Sequence, residues 1–307
     1  MEKKTINNNN QERKHITPLH IGRGWGVGLL LLLLTACSNI DEDERLIYVE
    51  PAEVNRPVLI EDFTGQACVN CPNATAAIHE LQQTYGEDNV IAVAIHSGPF
   101  AHLRSNMGNA FLSDLGTPLG DEYYTHWNIE AQPGVKINRG APIYDTNQYA
   151  TAVADELKKT STVTFDLVSF YGTDVMVSMS SSDRVEGKLQ VWIVEDSINA
   201  KDPQQKYQQF MPDGSRRQDY VHNHVLRASL TNDAYGEPVT LEAGNKAYTQ
   251  LFQVQGNVDR DNFENLWQKQ NLSAVVFFWN EQQGVMQAIR VPFGTSKPVV
   301  VDDLTID

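Results

Sequence analysis

The segment Pro57–Pro72, with the sequence PVLIEDFTGQACVNCP, decides how the middle of this chain folds. Its first part, Val58–Phe63, is a short apolar run of the length expected for a strand. A helical pattern begins at Cys71, and Pro72 suits the first turn of a helix because its missing N–H costs nothing there. Cys68 and Cys71 are therefore predicted to lie at the N-terminus of a helix that follows a strand.

A second strand completes a β-α-β unit around the cysteine pair. Asn89–His96 is a nearly continuous apolar run, which is typical of a strand buried on both faces in a parallel sheet. A Cys-x-x-Cys pair between a strand and a helix in such a unit is typical of a thioredoxin-like fold. Free N–H groups at the helix start would stabilise a thiolate at Cys68, and Cys71, one turn further, could resolve a mixed disulfide.

The same cysteine spacing has other interpretations. A zinc site needs two further soft ligands, and the third cysteine is the distant Cys37, so we predict no metal. A purely structural disulfide stays open, because an exported protein meets an oxidising environment in which paired cysteines close. Ala67 precedes the pair where thioredoxins usually have tryptophan. No proton acceptor for Cys71 can be assigned, since Glu61 and Asp62 are near it only along the chain.

Pro133 is the third residue of the candidate catalytic site. Thioredoxin-like folds place a cis-proline opposite the cysteine pair, at the start of the next sheet strand. Pro133 directly precedes a predicted strand, Gly134–Arg139, and an amphipathic helix at Thr146–Lys159 follows. We therefore expect a cis peptide bond at Pro133, where the ring would shape a substrate groove. Residues 97–130 are predicted to be an insertion with helical pieces.

From Thr160 onward the pattern changes from a helical period to the period of two that is typical of strands. The strand candidates are Thr162–Tyr171, Asp174–Ser180, Lys188–Glu195, Tyr220–Leu230, Ala247–Val254, Ser273–Asn280 and Val285–Val291. Such a series of short strands separated by turn residues favours a β-sandwich. The fold class is therefore α/β plus all-β: a thioredoxin-like domain at 57–160, a β-sandwich domain at 161–293 and a C-terminal tail at 294–307.

The N-terminal residues have the pattern of an export signal. Basic residues precede Leu29–Leu34, a run of six leucines that is shorter than the ~20 apolar residues of a membrane-spanning helix and typical of a secretory signal. Ala36-Cys37 at its end resembles a bacterial lipobox. We predict a lipoprotein signal peptide at 1–36, two acyl chains on Cys37, palmitate among them, and an acidic tether at 37–56. The alternative is an ordinary signal peptide with a chance cysteine.

Composition and charge exclude several classes of protein. The 307 residues include 39 acidic and 24 basic side chains, a net charge of −15, whereas a nucleic-acid binder needs a basic face. A hydrophobic content of 41% excludes a wholly disordered or collagen-like chain. Three cysteines are too few for a disulfide-stapled mini-fold. The sequence has no recognisable phosphate-binding loop and no recognisable arrangement of a Ser-His-Asp triad, and we predict no cofactor. The acidic net charge leads us to predict no nucleic-acid partner.

Three other features have a structural and a functional interpretation. His222 and His224 are two apart on a predicted strand, so both would point to one face, yet no third metal ligand can be named. His96 ends a buried strand and could change the pKa of a nearby thiol. A structural histidine whose hydrogen bonds are satisfied at the end of the strand is the better interpretation. Asp259–Asn262 resembles part of a calcium loop without its glycine and distal glutamate, and we predict a turn there.

Several motifs together resemble one family. Glu61–Pro72 matches the pattern E-x-F-T-G-x-x-C-x-x-C-P, and further matches lie in Ala94–Gly98, Pro133–Arg139 and Tyr220–Arg227. On these residues the chain resembles the outer membrane protein 28-related lipoproteins of Bacteroidetes, over most of its mature length. The resemblance implies a lipid-anchored envelope protein with a thioredoxin-like domain and an immunoglobulin-like β domain. It implies no known reaction.

Two functions stay open, and the sequence does not decide whether the chain is an enzyme. In the first, Cys68 attacks, Cys71 resolves and Pro133 shapes the groove, so that thiols and disulfides are exchanged with envelope proteins. In the second, the chain is a non-enzymatic surface adhesion or assembly lipoprotein with a structural disulfide. Both place the protein at the outer membrane through the lipid anchor on Cys37, on the periplasmic face or the cell surface, with envelope proteins as partners.

Overall fold

The segment around the cysteine pair forms the predicted β-α-β unit. Strand β1 (Val58–Thr64) leads through a turn into helix α1 (Cys71–Tyr85), and strand β2 (Val90–His96) returns parallel to β1. Gly86 ends the helix with a φ of +88°, a conformation that favours glycine. The order of elements predicted for this part of the chain is confirmed.

The computed structural model describes residues 54–102, 115–199, 208–254 and 256–297. The predicted signal peptide at 1–36, Cys37 and nearly all of the predicted tether lie outside the described residues, as do residues 298–307 of the predicted tail.

The remaining elements follow in chain order. The helices are α2 (Pro118–His126), α3 (Tyr149–Leu157) and α4 (Asn257–Asn265). The strands are β3 (Gly134–Ile137), β4 (Val163–Tyr171), β5 (Asp174–Ser181), β6 (Val185–Glu195), β7 (Ile198–Asn199), β8 (Gln209–Phe210), β9 (Arg216–Arg217), β10 (Val221–His222), β11 (Val225–Ser229), β12 (Glu237–Leu241), β13 (Tyr248–Gln253), β14 (Leu272–Asn280), β15 (Gly284–Pro292) and β16 (Thr295–Lys297). Short 3-10 turns occur at Gly98–Phe100, Thr146–Gln148 and Lys269–Asn271.

The larger sheet is mixed and has eight strands, in the order β15-β14-β6-β11-β2-β1-β3, with β12 also paired to β6. The β-α-β unit joins the later strands through β2 and β11, which run parallel at Ala94 and Val225. The N–H of Ala94 donates to the carbonyl of His224 at 2.8 Å. A separate antiparallel sheet has the order β13-β5-β4-β16. The architecture is thus a mixed sheet with a parallel β-α-β core plus a small antiparallel sheet.

Strands from both sides of residue 160 share the larger sheet, because β1, β2 and β3 precede that residue and β6, β11, β14 and β15 follow it. The division into domains at 57–160 and 161–293 stays a prediction. Within the range predicted as a tail, residues 295–297 instead form β16, which pairs with the edge of β4.

Side chains that alternate across the larger sheet build three cores. On β1, Val58 and Ile60 pack with α1 and α3, whereas Leu59 and Phe63 face the opposite core with Tyr123 of α2. On β6 the alternation separates two further groups: Val191 and Ile193 face the small sheet, and Trp192 and Val194 face the α2 side. The core on the α2 side therefore spans both halves of the sheet.

Two local predictions are corrected, and one strand was missed. The strand predicted at Tyr220–Leu230 is interrupted, because His224 has a φ of +58°, so His222 and His224 do not lie on one strand face. The turn predicted at Asp259–Asn262 lies inside α4. Strand β12 was not predicted; it contains Pro238, which lacks the N–H that a central strand would need.

A buried ion pair lies in the core on the α2 side. Glu61 and Arg139 have side chains that are 0% and 1% exposed, and Nε of Arg139 lies 3.4 Å from Oε1 of Glu61. The guanidinium also lies 4.0 Å from the ring centre of Trp279 and 4.8 Å from that of Phe277. Arg139 directly follows Asn138, whose carbonyl accepts the N–H of Val285 at 3.1 Å. The pair therefore lies where β3 and β15, the two outer strands of the sheet, meet.

We predict that Arg139→Ala lowers the free energy of unfolding by about 3–5 kcal/mol, because it leaves the carboxylate of Glu61 buried without its counterion. Urea unfolding of the full-length protein at pH 7 measures the change. Arg184→Ala is the control, since the Arg184–Glu186 pair is more than half exposed and contributes less than about 1 kcal/mol. Equal losses in the two variants would contradict the prediction.

Candidate functional site

Cys68 and Cys71 form a disulfide at the N-terminus of α1. The turn that holds them is closed by the N–H of Cys68, which donates to the carbonyl of Gly65 at 3.0 Å. The helix begins at Cys71 with Pro72 in its first turn, and Asn70 makes no side-chain cap. The predicted position of the pair, between a strand and a helix start, is confirmed.

The disulfide is covered by protein on its outer side. Cys68 is 3% exposed and Cys71 is 1% exposed. The segment 208–217, here called the cover segment, contains the short strands β8 and β9, and its Gln209 reaches the cysteine turn. Nε2 of Gln209 donates to the carbonyl of Cys68 at 3.1 Å and lies 3.3 Å from that of Gly65. Sequence reasoning missed this cover, because it comes from a segment 141 positions further along the chain.

Pro133 follows a cis peptide bond, as the sequence predicts. The next residue, Gly134, pairs with Phe63 in the sheet. The residue before it, Gln132, donates from Nε2 to the carbonyls of Thr64 and Ser97 at 2.8 and 3.0 Å. Pro133 therefore lies beside the end of β1, the strand that leads into the cysteine turn.

Asp62 is a candidate site residue that sequence reasoning left unassigned. Strand alternation turns Asp62 towards α1, opposite to Glu61, and the residue is 4% exposed. Its Oδ1 has no hydrogen-bond partner among the described residues. Burial raises the pKa of Asp62 to about 7. The position of both acidic residues on β1 near the cysteines was the available sequence signal. Only the folded structure shows that Glu61 pairs with Arg139, whereas Oδ1 of Asp62 has no hydrogen-bond partner among the described residues.

Asp62 and Cys71 line one cavity of about 450 Å³. Its walls come from β1, α1, the end of β2, the cover segment and the residues that follow that segment. Gln209 and Met211 belong to the cover segment, and His96 and His222 also line the space. A carboxyl group with a pKa near neutrality that shares a cavity with one cysteine of a disulfide can accept or deliver a proton there.

His96 and His222 form a contact of two buried rings within this cavity. Their ring centres are 5.4 Å apart and the rings are nearly perpendicular. Burial lowers the pKa of His96 well below its usual value, and the neighbouring His222 and Arg227 act in the same direction. Nδ1 of His96 has no partner among the described residues. His96 is therefore neutral at physiological pH and offers polar atoms without charge.

His224 has a different role from the metal ligand considered from the sequence. Its Nδ1 lies 2.9 Å from Oδ1 of Asp196. Burial alone would raise the pKa of Asp196, but the hydrogen bond from His224 and the charge of Arg290 together lower it to about 2. Among the described residues, no group of three or more His, Cys, Asp or Glu side chains is arranged to hold a metal ion.

The fold and site define a mixed α/β protein with a Cys-x-x-Cys disulfide at a helix N-terminus. The family model described as Outer membrane protein Omp28 matches residues 120–297, more than half of the chain. The chain therefore belongs to the Omp28 family of outer membrane proteins, which confirms the resemblance seen in its motifs. The cysteine turn lies before the matched residues. No helix among the described residues is long and apolar enough to span a membrane.

Two solved structures have similar folds. HBP35 of Porphyromonas gingivalis is 16% identical with a TM-score of 0.53, and the match covers 82% of this chain and 80% of that one. A structural-genomics protein of Agrobacterium tumefaciens is 13% identical with a TM-score of 0.50, over 80% of this chain and 97% of that one. At these identities the likeness concerns the fold alone. The search of curated proteins found no match.

We predict that Asp62→Asn stabilises the protein at pH 8 by up to about 4 kcal/mol and changes little at pH 4. The pKa of Asp62, about 7 when folded, lies above its value in the unfolded chain. Between pH 4 and 7 the folded state therefore binds more protons, and wild-type stability falls as the pH rises. Asparagine cannot titrate, so this loss disappears. Urea unfolding at pH 4, 6 and 8 measures the difference.

Asp155→Asn is the control, because the side chain of Asp155 is 61% exposed and its removal should leave the pH profile unchanged. His96 acts on wild type and variant alike: its lowered pKa makes the protein lose stability as the pH falls below about 6.5. A difference between Asp62→Asn and wild type that is the same at pH 4 and pH 8 would contradict the raised pKa of Asp62.

Proposed function

We propose that this chain is a lipid-anchored protein of the cell envelope whose thioredoxin-like part exchanges thiols and disulfides with envelope proteins. The observation that carries the proposal is the buried carboxyl of Asp62, whose Oδ1 has no hydrogen-bond partner among the described residues and which lines the same cavity as Cys71. Burying an unpaired carboxyl costs free energy, and a disulfide that only closes a turn does not need one. A role in proton transfer would explain why the carboxyl of Asp62 is buried at this position.

In the proposed exchange, a partner protein supplies two thiols. One partner thiolate attacks Sγ of Cys68, the Cys68–Cys71 bond breaks, and a mixed disulfide forms. Cys71 leaves with the electron pair and takes the proton of the Asp62 carboxyl, which solvent then replaces. The second partner thiolate attacks the partner's own sulfur in the mixed disulfide and releases Cys68 as a thiolate. The partner dithiol is oxidised to a disulfide by two electrons, and the Cys68–Cys71 pair is reduced.

Two further features support this assignment. The positive end of the α1 helix dipole favours negative charge on the released Cys68 sulfur. Pro133 lies beside the end of β1, next to the turn that carries the pair, and in the proposal it forms one wall of the groove for the partner. Glu61 takes no part, because it faces the opposite core and pairs there with Arg139.

We predict that Asp62→Asn slows oxidation of a reduced peptide dithiol by about tenfold or more at pH 6–7, because Cys71 then leaves without a proton donor. Cys68→Ser and Cys71→Ser should abolish the reaction. Cys71→Ser with a free Cys68 should retain a mixed disulfide when it meets an oxidised peptide. Full-length protein and thiol titration with mass spectrometry provide the measurement. Asp155→Asn should react like wild type.

A structural disulfide is the second candidate, and the burial of both cysteines favours it. Under that alternative the chain is a non-enzymatic adhesion or assembly lipoprotein. The disulfide would then be reduced only when the protein unfolds. Reduction rates that rise with urea in step with global unfolding, together with no oxidation of the peptide dithiol at any pH, would select this alternative.

The proposal also assigns roles to the N-terminal residues and to the second half of the chain. Residues 1–36 would be removed as a signal peptide, Cys37 would carry the acyl chains, and 37–56 would tether the folded part to the outer membrane. Stable anchoring takes two hydrophobic signals, which two acyl chains supply. Residues 161–293 would form an immunoglobulin-like β domain.

We predict that Cys37→Ala abolishes incorporation of labelled palmitate and releases the protein from the outer membrane fraction, because the thiol that carries the lipid is missing. Labelling of growing cells followed by membrane fractionation measures both effects. Cys68→Ala is the control and should stay labelled and membrane-bound. A Cys37→Ala protein that still carries palmitate would show that lipid is attached elsewhere.

A further inference from the structure

The cover segment, residues 208–217, lies on the cysteine turn with contacts that resemble strand pairing. The N–H of Phe210 donates to the carbonyl of Gln66 at 2.9 Å. In return, Nε2 of Gln66 donates to the carbonyl of Gln208 at 3.1 Å. The amide of Gln209 adds the bond to the carbonyl of Cys68. The turn thus offers the backbone carbonyls of Gln66 and Cys68, and the cover segment supplies one backbone N–H and one side-chain amide to them.

We propose that the cover segment is a built-in pseudosubstrate: it occupies the surface on which an extended polypeptide of the exchange partner pairs, and it must move aside before Cys68 can react. This proposal rests on the proposed exchange function. The cover segment supplies one backbone N–H, from Phe210, and one side-chain amide, from Gln209, to carbonyls of the turn, and an extended chain of a partner can supply backbone N–H groups to the same carbonyls. The partner is therefore a protein with its cysteine in an extended segment, rather than a small thiol such as a tripeptide.

The structure of the cover segment is suited to displacement. Strands β8 and β9 pair over two residues each, Gln209 with Arg217 and Phe210 with Arg216, and a two-stranded hairpin of this kind is marginally stable alone. Residues 212–217 are exposed. Elements with few buried apolar contacts open locally at a low cost in free energy.

Displacement would also open the cavity beside Cys71. Gln209 and Met211 form part of its wall, opposite Asp62 and His96. The chain of a partner that replaces Gln209 would therefore lie next to the proton donor of the proposed exchange. Displacement of the cover segment would therefore expose Cys68 to attack. It would also give the partner access to the cavity that Asp62 and His96 line.

The test measures reduction of the Cys68–Cys71 disulfide in the full-length protein without denaturant. Gln209→Ala removes the amide contacts to the cysteine turn, and we expect dithiothreitol to reduce this variant about tenfold faster than wild type. Gln209→Asn keeps the amide but shortens its reach, and it serves if the alanine variant does not fold. Gln218→Ala changes an exposed glutamine just beyond the cover segment and should react like wild type. Folded Gln209 variants with wild-type rates would overturn the proposal.

A pair of peptide dithiols tests the class of partner. One peptide has ordinary backbone around its cysteines, and the other carries N-methyl groups on the flanking residues, which removes the donors for strand pairing. With Gln209→Ala we expect the N-methylated peptide to be oxidised at least about fivefold more slowly. Equal rates for the two peptides would overturn the proposed backbone pairing between the partner and the cysteine turn.

The outcomes separate this proposal from the exchange function. Faster reduction of Gln209→Ala by dithiothreitol with no oxidation of either peptide would support a cover and reject the exchange function. Oxidation of the peptides by wild type at the same rate as by Gln209→Ala would support the exchange function and reject the cover.

Discussion

The pair formed by Glu61 and Arg139 is the constraint on which the described fold most depends. Both side chains are buried, so each charge needs the other. Trp279 and Phe277 of β14 lie against the guanidinium, and the neighbouring Asn138 bonds to β15. Residues from the first strand, from the end of the third and from the last two strands of the larger sheet are therefore brought together. This contact ties the β-α-β unit to strands formed by the second half of the chain.

Glu61 and Asp62 are neighbours on β1, but their side chains lie in different environments. Glu61 faces the core on the α2 side, where burial raises its pKa and the charge of Arg139 counteracts that rise. Asp62 faces α1, where burial raises its pKa to about 7 without a compensating cation. Because successive side chains of a strand point to opposite faces, Glu61 pairs with Arg139 in one core, whereas Asp62 lines the cavity that Cys71 also lines. In the proposed exchange only the second takes part.

The Cys-x-x-Cys spacing does not show that the disulfide is buried. This burial limits which molecules can reach the two sulfur atoms. A pair that exchanges with another protein must at some stage meet that protein's sulfur, yet here the cysteine turn is bonded to Gln209 and Phe210. A covered site is compatible with a structural disulfide and with a regulated one. Asp62 favours the regulated site, because a structural bridge has no use for a proton donor next to it.

The sequence was sufficient to predict the local elements around the cysteines and the family. Apolar runs and the helix pattern located β1, α1 and β2, because these signals depend on neighbouring residues. The sequence also indicated the cis bond at Pro133, through the likeness to thioredoxin-like folds rather than through a local signal. It did not reveal strand β12, the interruption of the strand at His224 or the strand at residues 295–297. The folded structure was needed to show that strands on both sides of residue 160 share a sheet, that Oδ1 of Asp62 lacks a hydrogen-bond partner among the described residues and that Gln209 bonds to the carbonyl of Cys68. These features arise from contacts between segments far apart in the chain, and burial and pairing of that kind leave no local pattern to read.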